Sequence, residues 1–530
     1  RCRSRMLAAV ADRSPATPVR MSQIAEPLGD QPAPEAGALQ PAGPTLGVAA
    51  LAGGLALAYA VLLAWPMRIW HRAVSPHTHL VGTLGVDRTG ALVYILTVLL
   101  LFALYGAALA LVLTRRSSPS PWFILLAAAV FCLLLWPVHP LTSTDIFNYI
   151  AGARVLWVHG DNPLTTPPLA HPDDPFVGLL TFWQDIPSPY GPLWSLLTGP
   201  PTLVGGDDPL RVVLAFKATS IAFFLAAGWL LYLTARRIRP DSAAPALLAF
   251  TWNPLAVFHV AGNGHNDAVM MFFVAVFLYA LTRGWIVAAL TALAASALIK
   301  YATLLLIPIL VVWWLRSRRR PAPTQLALGG AATLLLVVVA YAPFWSGVDT
   351  VRTALDEGDY FAVSTPAALR GALLEVTSAD RAQQITLLVT RGLFFLAYAA
   401  ILLRLRGDRV DRLAEAGFLT FFAYLVLAAT YFSPWHVLWP LTFAVLLPFR
   451  RDVLWPALTL SLTAMSVLVA AVWFRERFAP DPRADWYGMH LAAALAVFPL
   501  PVLVWFWTVR YPAGTPVRRA ALRRAAQGRT

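Results

Sequence analysis

The chain has 530 residues, of which 58% are hydrophobic and only 13% are charged. Soluble globular proteins carry about 25% charged residues, so this composition excludes an ordinary soluble domain. The net charge of +14 does not indicate nucleic-acid binding, because the arginines cluster in short loops between apolar runs, as in membrane proteins.

The two ends of the chain differ from the rest. Residues 1–44 are rich in proline, alanine and arginine without hydrophobic periodicity, and they are interpreted as a disordered cytoplasmic lead. The apolar run at 6–10 is too short for a signal peptide. Residues 511–530 form a basic tail, also predicted to be cytoplasmic. Cys2 lies in the lead and Cys132 in an apolar run, so no structural disulfide is expected.

Apolar runs long enough to cross a bilayer recur between the two ends, as in helical membrane proteins with many spans. We predict an all-α integral membrane fold with about 14 transmembrane helices. The predicted spans are 45–70, 90–114, 121–139, 210–235, 243–261, 267–282, 285–299, 301–315, 325–345, 386–405, 415–432, 435–449, 453–474 and 491–509.

The arginines orient these spans. With the N-terminus inside, the basic clusters fall on the cytoplasmic side, as the positive-inside rule expects. These clusters are 115–116, 236–239, 316–320, 404–412, 450–451 and the tail from 510. The long polar segments 140–209 and 346–385 then face outwards, and we expect short amphipathic helices on them. The sequence has no Walker-type phosphate loop and no GxGxxG motif after a strand, so neither a nucleotide nor another cofactor is expected.

Asp145 opens the first amphipathic stretch of the segment 140–209, just after the apolar run at 121–138. A carboxylate at the edge of a lipid-facing region usually serves pairing, ion passage or chemistry. The alternative is a helix N-cap, because Ser143 and Thr144 precede it and apolar residues follow at helical spacing. Position alone leaves both interpretations open.

Other polar side chains gather at the outward ends of the predicted spans. They include Arg154, Asn162, His265, Asn266, Asp267, Lys300, His436 and Arg475. Asn266 and Asp267 have the alternative of capping the next helix, and Lys300 that of extending to the membrane interface. The histidines match no known ligand spacing, so no metal site is predicted.

Aromatic residues accompany these polar groups on the same face. Tyr149, Tyr190 and Trp194 are candidates for stacking on sugar rings, with an interfacial aromatic belt as the alternative for each. The same alternatives apply to Trp435 and Trp439. An outward pocket with carboxylates and cations suits a lipid-linked phosphate substrate. The cations would neutralise the phosphate, while a carboxylate would take a proton from an incoming hydroxyl.

Four motifs carry a resemblance to a known family. They are 145–152 (DIFNYIAG), 162–163 (NP), 187–194 (PSPYGPLW) and 264–268 (GHNDA). Together they resemble the actinobacterial polyprenyl-phosphate-mannose-dependent alpha-1,6-mannosyltransferases that elongate the mannan of lipomannan. These enzymes belong to the GT-C superfamily of glycosyltransferases. The resemblance extends over residues 45–510 and implies a bacterial plasma-membrane enzyme with its active site on the outer face.

The resemblance implies that mannose passes from a polyprenyl phosphate to a glycolipid or polysaccharide acceptor by one inverting displacement. It assigns the role of general base to Asp145, because such enzymes use an aspartate of an early external loop. The candidates for binding the donor phosphate are Lys300, His436, Arg475 and Arg154. Those for binding sugar or acceptor are Tyr149, Asn162, Tyr190, Trp194, His265, Asn266 and Asp267.

Three alternatives stay open at this point. The donor sugar could be arabinose or glucose, since related families use other sugars on similar scaffolds. An enzyme that transfers a whole oligosaccharide would share the substrate class. A transporter or flippase of lipid-linked sugars would also need a polar pocket, but transporters tend to show inverted repeats and polar residues near the midplane. One departure from many GT-C proteins is that additional spans precede the aspartate loop.

Overall fold

The structure is a computed structural model, and it describes residues 46–69, 74–75, 77–78, 80–85, 87–115, 119–180, 183–318, 320–356, 360–474 and 486–511. These residues form helices and connections without a strand, and isolated bridges join Arg68 to Val138 and Ala362 to Tyr431. The predicted all-α class is therefore confirmed. The described residues all belong to one unit, Pro41–Thr530.

The α-helices follow one another in chain order. The first eight are α1 (Leu46–Ala58), α2 (Trp65–Met67), α3 (Leu80–Leu84), α4 (Arg88–Leu113), α5 (Pro121–Leu135), α6 (Asp145–Trp157), α7 (Pro192–Leu197) and α8 (Gly199–Gly205). The next eight are α9 (Pro209–Ile238), α10 (Ala243–Thr251), α11 (Pro254–Val257), α12 (Asp267–Arg283), α13 (Ile286–Ala297), α14 (Leu306–Arg316), α15 (Pro323–Tyr341) and α16 (Asp349–Asp356). The last seven are α17 (Thr365–Leu374), α18 (Ala379–Arg404), α19 (Val410–Leu427), α20 (Leu438–Ala444), α21 (Arg451–Ala464), α22 (Trp486–Val497) and α23 (Pro499–Arg510).

Shorter turns of other helix types connect several of these elements. The π-helical turns are Tyr59–Ala64, Phe258–Gly262 and Val469–Phe474. The 3₁₀ turns are Pro168–Ala170, Val177–Leu179, Pro240–Ser242, Tyr301–Leu305 and Pro434–Val437.

Six helical stretches in the described part of the chain are long and apolar enough to cross a membrane. They are Leu46–Met67, Arg88–Leu113, Pro209–Ile238, Pro323–Tyr341, Ala379–Arg404 and Gly488–Arg510. A seventh is obtained if the pair Pro240–Thr251 and Pro254–Gly262, bent by 47°, is one span. The helical membrane class is confirmed, but the count of about 14 spans is not.

Proline-broken and short helices explain the difference in count. The predicted span 243–261 is interrupted where Asn253 caps α11, its side chain accepting hydrogen bonds from the backbone N–H groups of Leu255 and Ala256. Pro254 follows, and proline is disfavoured inside a continuous helix. The predicted span 435–449 contains only the seven-residue α20 after a 3₁₀ turn. Hydropathy therefore located the apolar helices, but it did not show which of them are long enough to cross a membrane as a single helix.

The long helix α9 begins and ends as its local sequence predicts. Asp208 accepts hydrogen bonds from the backbone N–H groups of Leu210 and Arg211, and proline occupies the first turn. Arg236 and Arg237 lie in the last turn, where the helix dipole favours positive charge. The helix packs against α10 and α12, so α12 and its first residue are held in the protein interior.

Lys217 of α9 fixes the chain just before the polar segment 140–209. Its side chain is fully buried, and its amine donates hydrogen bonds to the carbonyl groups of Leu135 (2.9 Å) and Val138 (2.8 Å). These carbonyls lie at and just beyond the end of α5, where the helix leaves acceptors unpaired. Lys217 thus anchors the chain immediately before Asp145.

Candidate active site

A cavity of about 820 Å³ lies between the two long polar segments 140–209 and 346–385. Its lining includes four of the predicted site residues: Asp145, Tyr149, Tyr190 and Trp194. The helix α16 of the second segment contributes further lining residues, among them Arg352. The volume is within the range of about 300–1,000 Å³ typical of small-molecule sites. The segments 140–209 and 346–385 therefore enclose one site.

Asp145 is the first residue of α6, and its side chain is 24% exposed. Thr144 occupies the N-cap position, and the backbone N–H of Asp145 donates to Ser143 Oγ at 3.2 Å. If Asp145 were the N-cap, the helix would begin at residue 146. It begins at Asp145 instead, so Asp145 is not the N-cap. A carboxylate in the first turn is stabilised by the positive end of the helix dipole. Asp145 is both held in place and accessible from the cavity.

His265 brings α6 together with a turn more than a hundred residues later in the chain. Its Nδ1 lies 3.3 Å from the hydroxyl of Tyr149 and 3.9 Å from Oδ2 of Asp145. The first distance is a hydrogen bond, and the second is too long for one. On its other side the imidazole stacks on Trp435, with ring centroids 3.6 Å apart. Asp145 and Tyr149 meet this ring together because residues four apart share one helix face.

The electrostatics keep both groups of the hydrogen-bonded pair neutral. Burial lowers the pKa of His265 well below its ordinary value, and the nearby His259, Lys300 and His436 lower it further. Burial also raises the pKa of the Tyr149 hydroxyl, to which the neighbouring Tyr190 and carboxylates add. When the tyrosine hydroxyl donates to Nδ1, the neutral imidazole carries its own proton on Nε2.

The turn that carries His265 is hydrogen-bonded to the start of the segment 140–209. Asn263 accepts a hydrogen bond from the backbone N–H of Thr142 and donates to its Oγ1, both at 3.0 Å. Gly264 has φ = +79°, and a Cβ there would lie 2.7 Å from Cδ1 of Ile146 in α6. Glycine is needed for both the backbone conformation and the close contact. The turn therefore fixes the imidazole against α6.

Asp267, Lys300 and Trp439 form a second group beside the first. The Lys300 amine lies 3.4 Å from Oδ1 of the fully buried Asp267, which also accepts a 2.6 Å hydrogen bond from the indole of Trp439. The same amine lies over the rings of Tyr190 and Trp439, 5.7 and 5.4 Å from their centroids. The Lys300 side chain is only 13% exposed, so it contacts this polar group instead of extending to the membrane interface.

The motif 187–194 is held against Lys300 by backbone contacts. The backbone N–H groups of Gly191 and Leu193 donate to the carbonyl groups of Ile299 (3.0 Å) and Leu298 (3.1 Å). A Cβ at Gly191 would lie 2.2 Å from the carbonyl oxygen of Leu298, so only glycine allows this approach. Tyr190 therefore borders the cavity on one side and Lys300 on the other.

Buried polar atoms without a protein partner mark the region between these groups. They are His265 Nε2, both side-chain polar atoms of Asn266, and Asp267 Oδ2, none of which bonds to another described residue. Asn266 occupies the N-cap position of α12, but its side chain makes no capping hydrogen bond. An unsatisfied buried polar group costs about 1–3 kcal/mol. Three consecutive residues therefore present donors and acceptors suited to a polar ligand.

A comparison with known proteins places the chain in a family. Residues 46–316 match the family model described as alpha-(1->6)-mannopyranosyltransferase, N-terminal domain, which covers about half of the chain. The chain belongs to the alpha-(1->6)-mannopyranosyltransferase family. The matched stretch contains Asp145, His265, Asp267 and Lys300. The predicted family and enzyme class, a glycosyltransferase, are confirmed.

Individual relatives agree with this family. The chain is 26% identical over 400 residues to alpha-(1->6)-mannopyranosyltransferase A of Mycobacterium tuberculosis, covering 71% of this chain and 74% of that protein. It is 31% identical over 150 residues to alpha-(1->6)-mannopyranosyltransferase B of Corynebacterium glutamicum, covering 27% of this chain and 24% of that protein. Alpha-(1->6)-mannopyranosyltransferase A of the same organism is 28% identical over 174 residues, covering 33% of this chain and 35% of that protein.

In this family member, Arg154 belongs to a hydrogen-bonded network that is separate from the groups around His265 and Lys300. Its guanidinium is 2.8 Å from Asp174 and 2.7 Å from Asp207, and it donates to the carbonyl of Gly206 at 2.9 Å. The side chain is buried. Because two carboxylates already neutralise it, we do not retain Arg154 as a ligand for the donor phosphate.

The other predicted residues divide between the site and its surroundings. Asn162 donates to the carbonyl of Phe344 at 2.8 Å and accepts from the backbone N–H of Leu164 at 3.0 Å, so it links the segment 140–209 to the chain just before 346–385. His436 is buried with its ring 4.5 Å from that of Trp439, beside the Lys300 group. Arg475 lies outside the described residues.

The tryptophans are the part of the site that the sequence left least defined. Trp435 and Trp439 are buried in the enzyme, where they contact His265 and Asp267, so they are not belt residues. Their sequence signal was a position next to a histidine, in a turn that was predicted to face outwards. Among the residues described, no group of three or more His, Cys, Asp or Glu side chains is arranged to hold a metal ion.

Proposed function

We propose that the enzyme transfers mannose from a polyprenyl-phosphate donor to an outward-facing glycolipid or mannan acceptor, forming an α-1,6 linkage with inversion. Family membership supports mannosyl transfer. One observation carries the finer proposal: the accessible carboxylate of Asp145 borders a cavity that adjoins a buried cation and unpartnered polar atoms. This combination suits a reaction between a hydroxyl nucleophile and a sugar phosphate.

Asp145 acts as the general base in this proposal. Its carboxylate takes the proton of the acceptor hydroxyl while the hydroxyl oxygen forms a bond to the anomeric carbon. The bond between that carbon and the phosphate oxygen breaks, and the electron pair leaves with the polyprenyl phosphate. A β-linked donor gives an α-linked product by this single displacement. The cavity holds the acceptor beside Asp145, which reduces the entropic cost of bringing the reactants together.

Lys300 stabilises the leaving phosphate in this proposal. Charge develops on the phosphate as the bond breaks, and a fixed ammonium group lowers the energy of that state. Asp267 and the rings of Tyr190 and Trp439 fix the amine in advance. The Nε2–H of His265 is a buried donor for a sugar or phosphate oxygen, because its Nδ1 is used by Tyr149.

The arginine distribution supports an outward-facing site with cytoplasmic termini. Asp267 begins α12 in the site and Arg283 ends it at the opposite end. The basic last turn of α9 lies at that opposite end as well, since Arg237 donates to the carbonyl of Thr282 at 3.4 Å. By the positive-inside rule this end is cytoplasmic, so the site faces outwards.

The donor is tested with membranes that contain the full chain, supplied with radiolabelled donors and a mannan acceptor. Polyprenyl-phosphate mannose should give an α-1,6-linked product, whereas polyprenyl-phosphate arabinose and GDP-mannose should give none above membranes without the chain. Transfer from GDP-mannose in membranes free of polyprenyl phosphate would contradict a lipid-phosphate donor. Transfer from the arabinose donor at the same rate would contradict mannose specificity.

A further inference from the structure

A second cavity, of about 1220 Å³, lies at the other end of the helix bundle. Residues at the C-terminal ends of α9, α12 and α14 line it, together with residues near the starts of α15 and α19. The helix α12 spans Asp267 to Arg283, which at 1.5 Å per residue separates its ends by about 24 Å. The second cavity is therefore distant from the active site and belongs to the opposite leaflet.

Positive charge dominates the lining of this cavity. Five arginines and two aspartates contribute to it: Arg236, Arg237, Arg283, Arg320, Arg409, Asp408 and Asp411. Asp411 is already paired with Arg409, its carboxylate 3.0 Å from the guanidinium. Arg237 and Arg320 donate hydrogen bonds to the backbone carbonyls of Thr282 and Leu315, and neither is paired with a carboxylate among the described residues. The cavity thus keeps an excess of guanidinium groups for an anion.

Apolar and aromatic residues form the rest of the lining. They include Leu233, Ile238, Tyr279, Leu281, Ile286, Trp313 and Trp314. The indole Nε1 of Trp313 is buried and has no hydrogen-bond partner among the residues that the structure describes. Solvated arginines at helix ends would need neither an apolar wall nor a buried donor. The two features together point to a ligand that has an anionic group and a hydrocarbon part.

We propose that this basic pocket, defined by Arg236, Arg237, Arg283, Arg320 and Trp313, binds the headgroup of an anionic phospholipid. The guanidinium groups bind the phosphate oxygens, for which their planar fork is well suited. The Trp313 indole donates a further hydrogen bond, and the acyl chains follow the apolar wall. A free phosphate ion would use the arginines but not this wall. By the positive-inside rule the lipid comes from the cytoplasmic leaflet.

The experiment is native mass spectrometry of the purified full chain with phosphatidylglycerol or phosphatidylcholine added to the detergent. The variants are Arg236→Gln, Arg283→Gln and Arg320→Gln combined, and Trp313→Phe, which leaves the charge unchanged. Arg404→Gln is the matched control, since Arg404 is an exposed arginine at the same end of the bundle and does not line the pocket. Thermal unfolding without added lipid checks that each variant is folded.

The full chain should retain phosphatidylglycerol and release phosphatidylcholine. Each arginine removed should weaken retention about fivefold, so the triple variant loses about a hundredfold, while Arg404→Gln changes nothing. Trp313→Phe should weaken retention severalfold even if the triple variant does not fold. Equal retention of phosphatidylcholine, or full retention by folded variants, would overturn the proposal. Inorganic phosphate that displaces the lipid at equal concentration would show a free-anion site and overturn it as well.

Discussion

Lys300 and the indole of Trp439 both contact the carboxylate of Asp267. This arrangement leaves the Lys300 ammonium group able to bind a phosphate. Oδ1 of Asp267 accepts a 2.6 Å hydrogen bond from Trp439, while the Lys300 amine lies farther away at 3.4 Å. The shorter contact therefore belongs to the tryptophan. An ammonium group held at this distance is fixed in position yet available for a phosphate oxygen, because an ammonium has three donors.

We expect Lys300→Gln to lower kcat/KM for polyprenyl-phosphate mannose by about 10–100-fold, because a hydrogen bond to a charged group contributes about 1.5–3 kcal/mol. Steady-state kinetics at varied donor concentration measure this. Arg211→Gln is the control, since Arg211 is exposed near the start of α9 and pairs only with Asp208 among described residues. Unchanged kinetics for Lys300→Gln would remove Lys300 from the donor site.

At the residue scale, the sequence identified polar and aromatic candidates but not their partners. Asp145, Tyr149 and His265 were all predicted as site residues, and they do meet, although the turn that holds them depends on contacts between distant segments. Arg154 was predicted as a phosphate ligand because it is an outward cation. Its partner Asp174 lies 20 residues later, and only folding brings the two together.

The segment 140–209 is stabilised by the network around Asp174. Burial alone would raise the pKa of this carboxyl, but hydrogen bonds from the Phe176 backbone N–H, Arg154 and His159 outweigh it and hold the pKa below its ordinary value. Arg154 also lies over the ring of Phe176, 4.6 Å from its centroid. The network connects α6 to the chain around 174–176 and so supports the cavity wall.

We expect Asp174→Asn to destabilise the protein at pH 7 by about 1.5–3 kcal/mol, because it removes one of the two carboxylates that bind a buried guanidinium. Since the folded-state pKa is depressed, this stabilisation is present above the unfolded pKa of about 3.9 and is lost as the pH falls through the folded value. Thermal unfolding at pH 7 and near pH 3 measures the difference. The exposed Asp173→Asn is the control; equal melting of both variants at pH 7 would contradict the network's role.

At the element scale, local sequence predicted helices well and their continuity poorly. The predicted starts at 121 and 267 coincide with those of α5 and α12, and at α5 a serine cap and a proline in the first turn give the local signal. The residues around the break at Asn253 and around the short helix α20 are apolar, so hydropathy predicted a continuous span at each place. Beside the break, the hydroxyl of Tyr105 in α4 donates to the carbonyl of Ala249 at 2.8 Å, a contact between distant segments that hydropathy does not reveal.

At the scale of the whole molecule, α12 connects two sites of different chemistry. One end lies near the cavity at Asp145 and bears a carboxylate and polar atoms that have no hydrogen-bond partner in the described part of the chain, and the other borders a pocket rich in arginine. Composition and arginine distribution were sufficient to predict a membrane protein with a polar face and a basic face. They were insufficient to predict either cavity, because each is enclosed by segments far apart in sequence.

The most direct measurement compares kcat of the Asp145→Asn variant with kcat of the unsubstituted enzyme. Both are reconstituted in proteoliposomes and supplied with polyprenyl-phosphate mannose and a mannan acceptor. Asp145→Asn keeps the shape of the side chain but removes the base, so kcat should fall by about 10²–10⁴-fold while KM for the donor changes little. Asp173→Asn, an exposed acid of the same segment, should keep full turnover. Undiminished kcat in folded Asp145→Asn would show that Asp145 is not the general base.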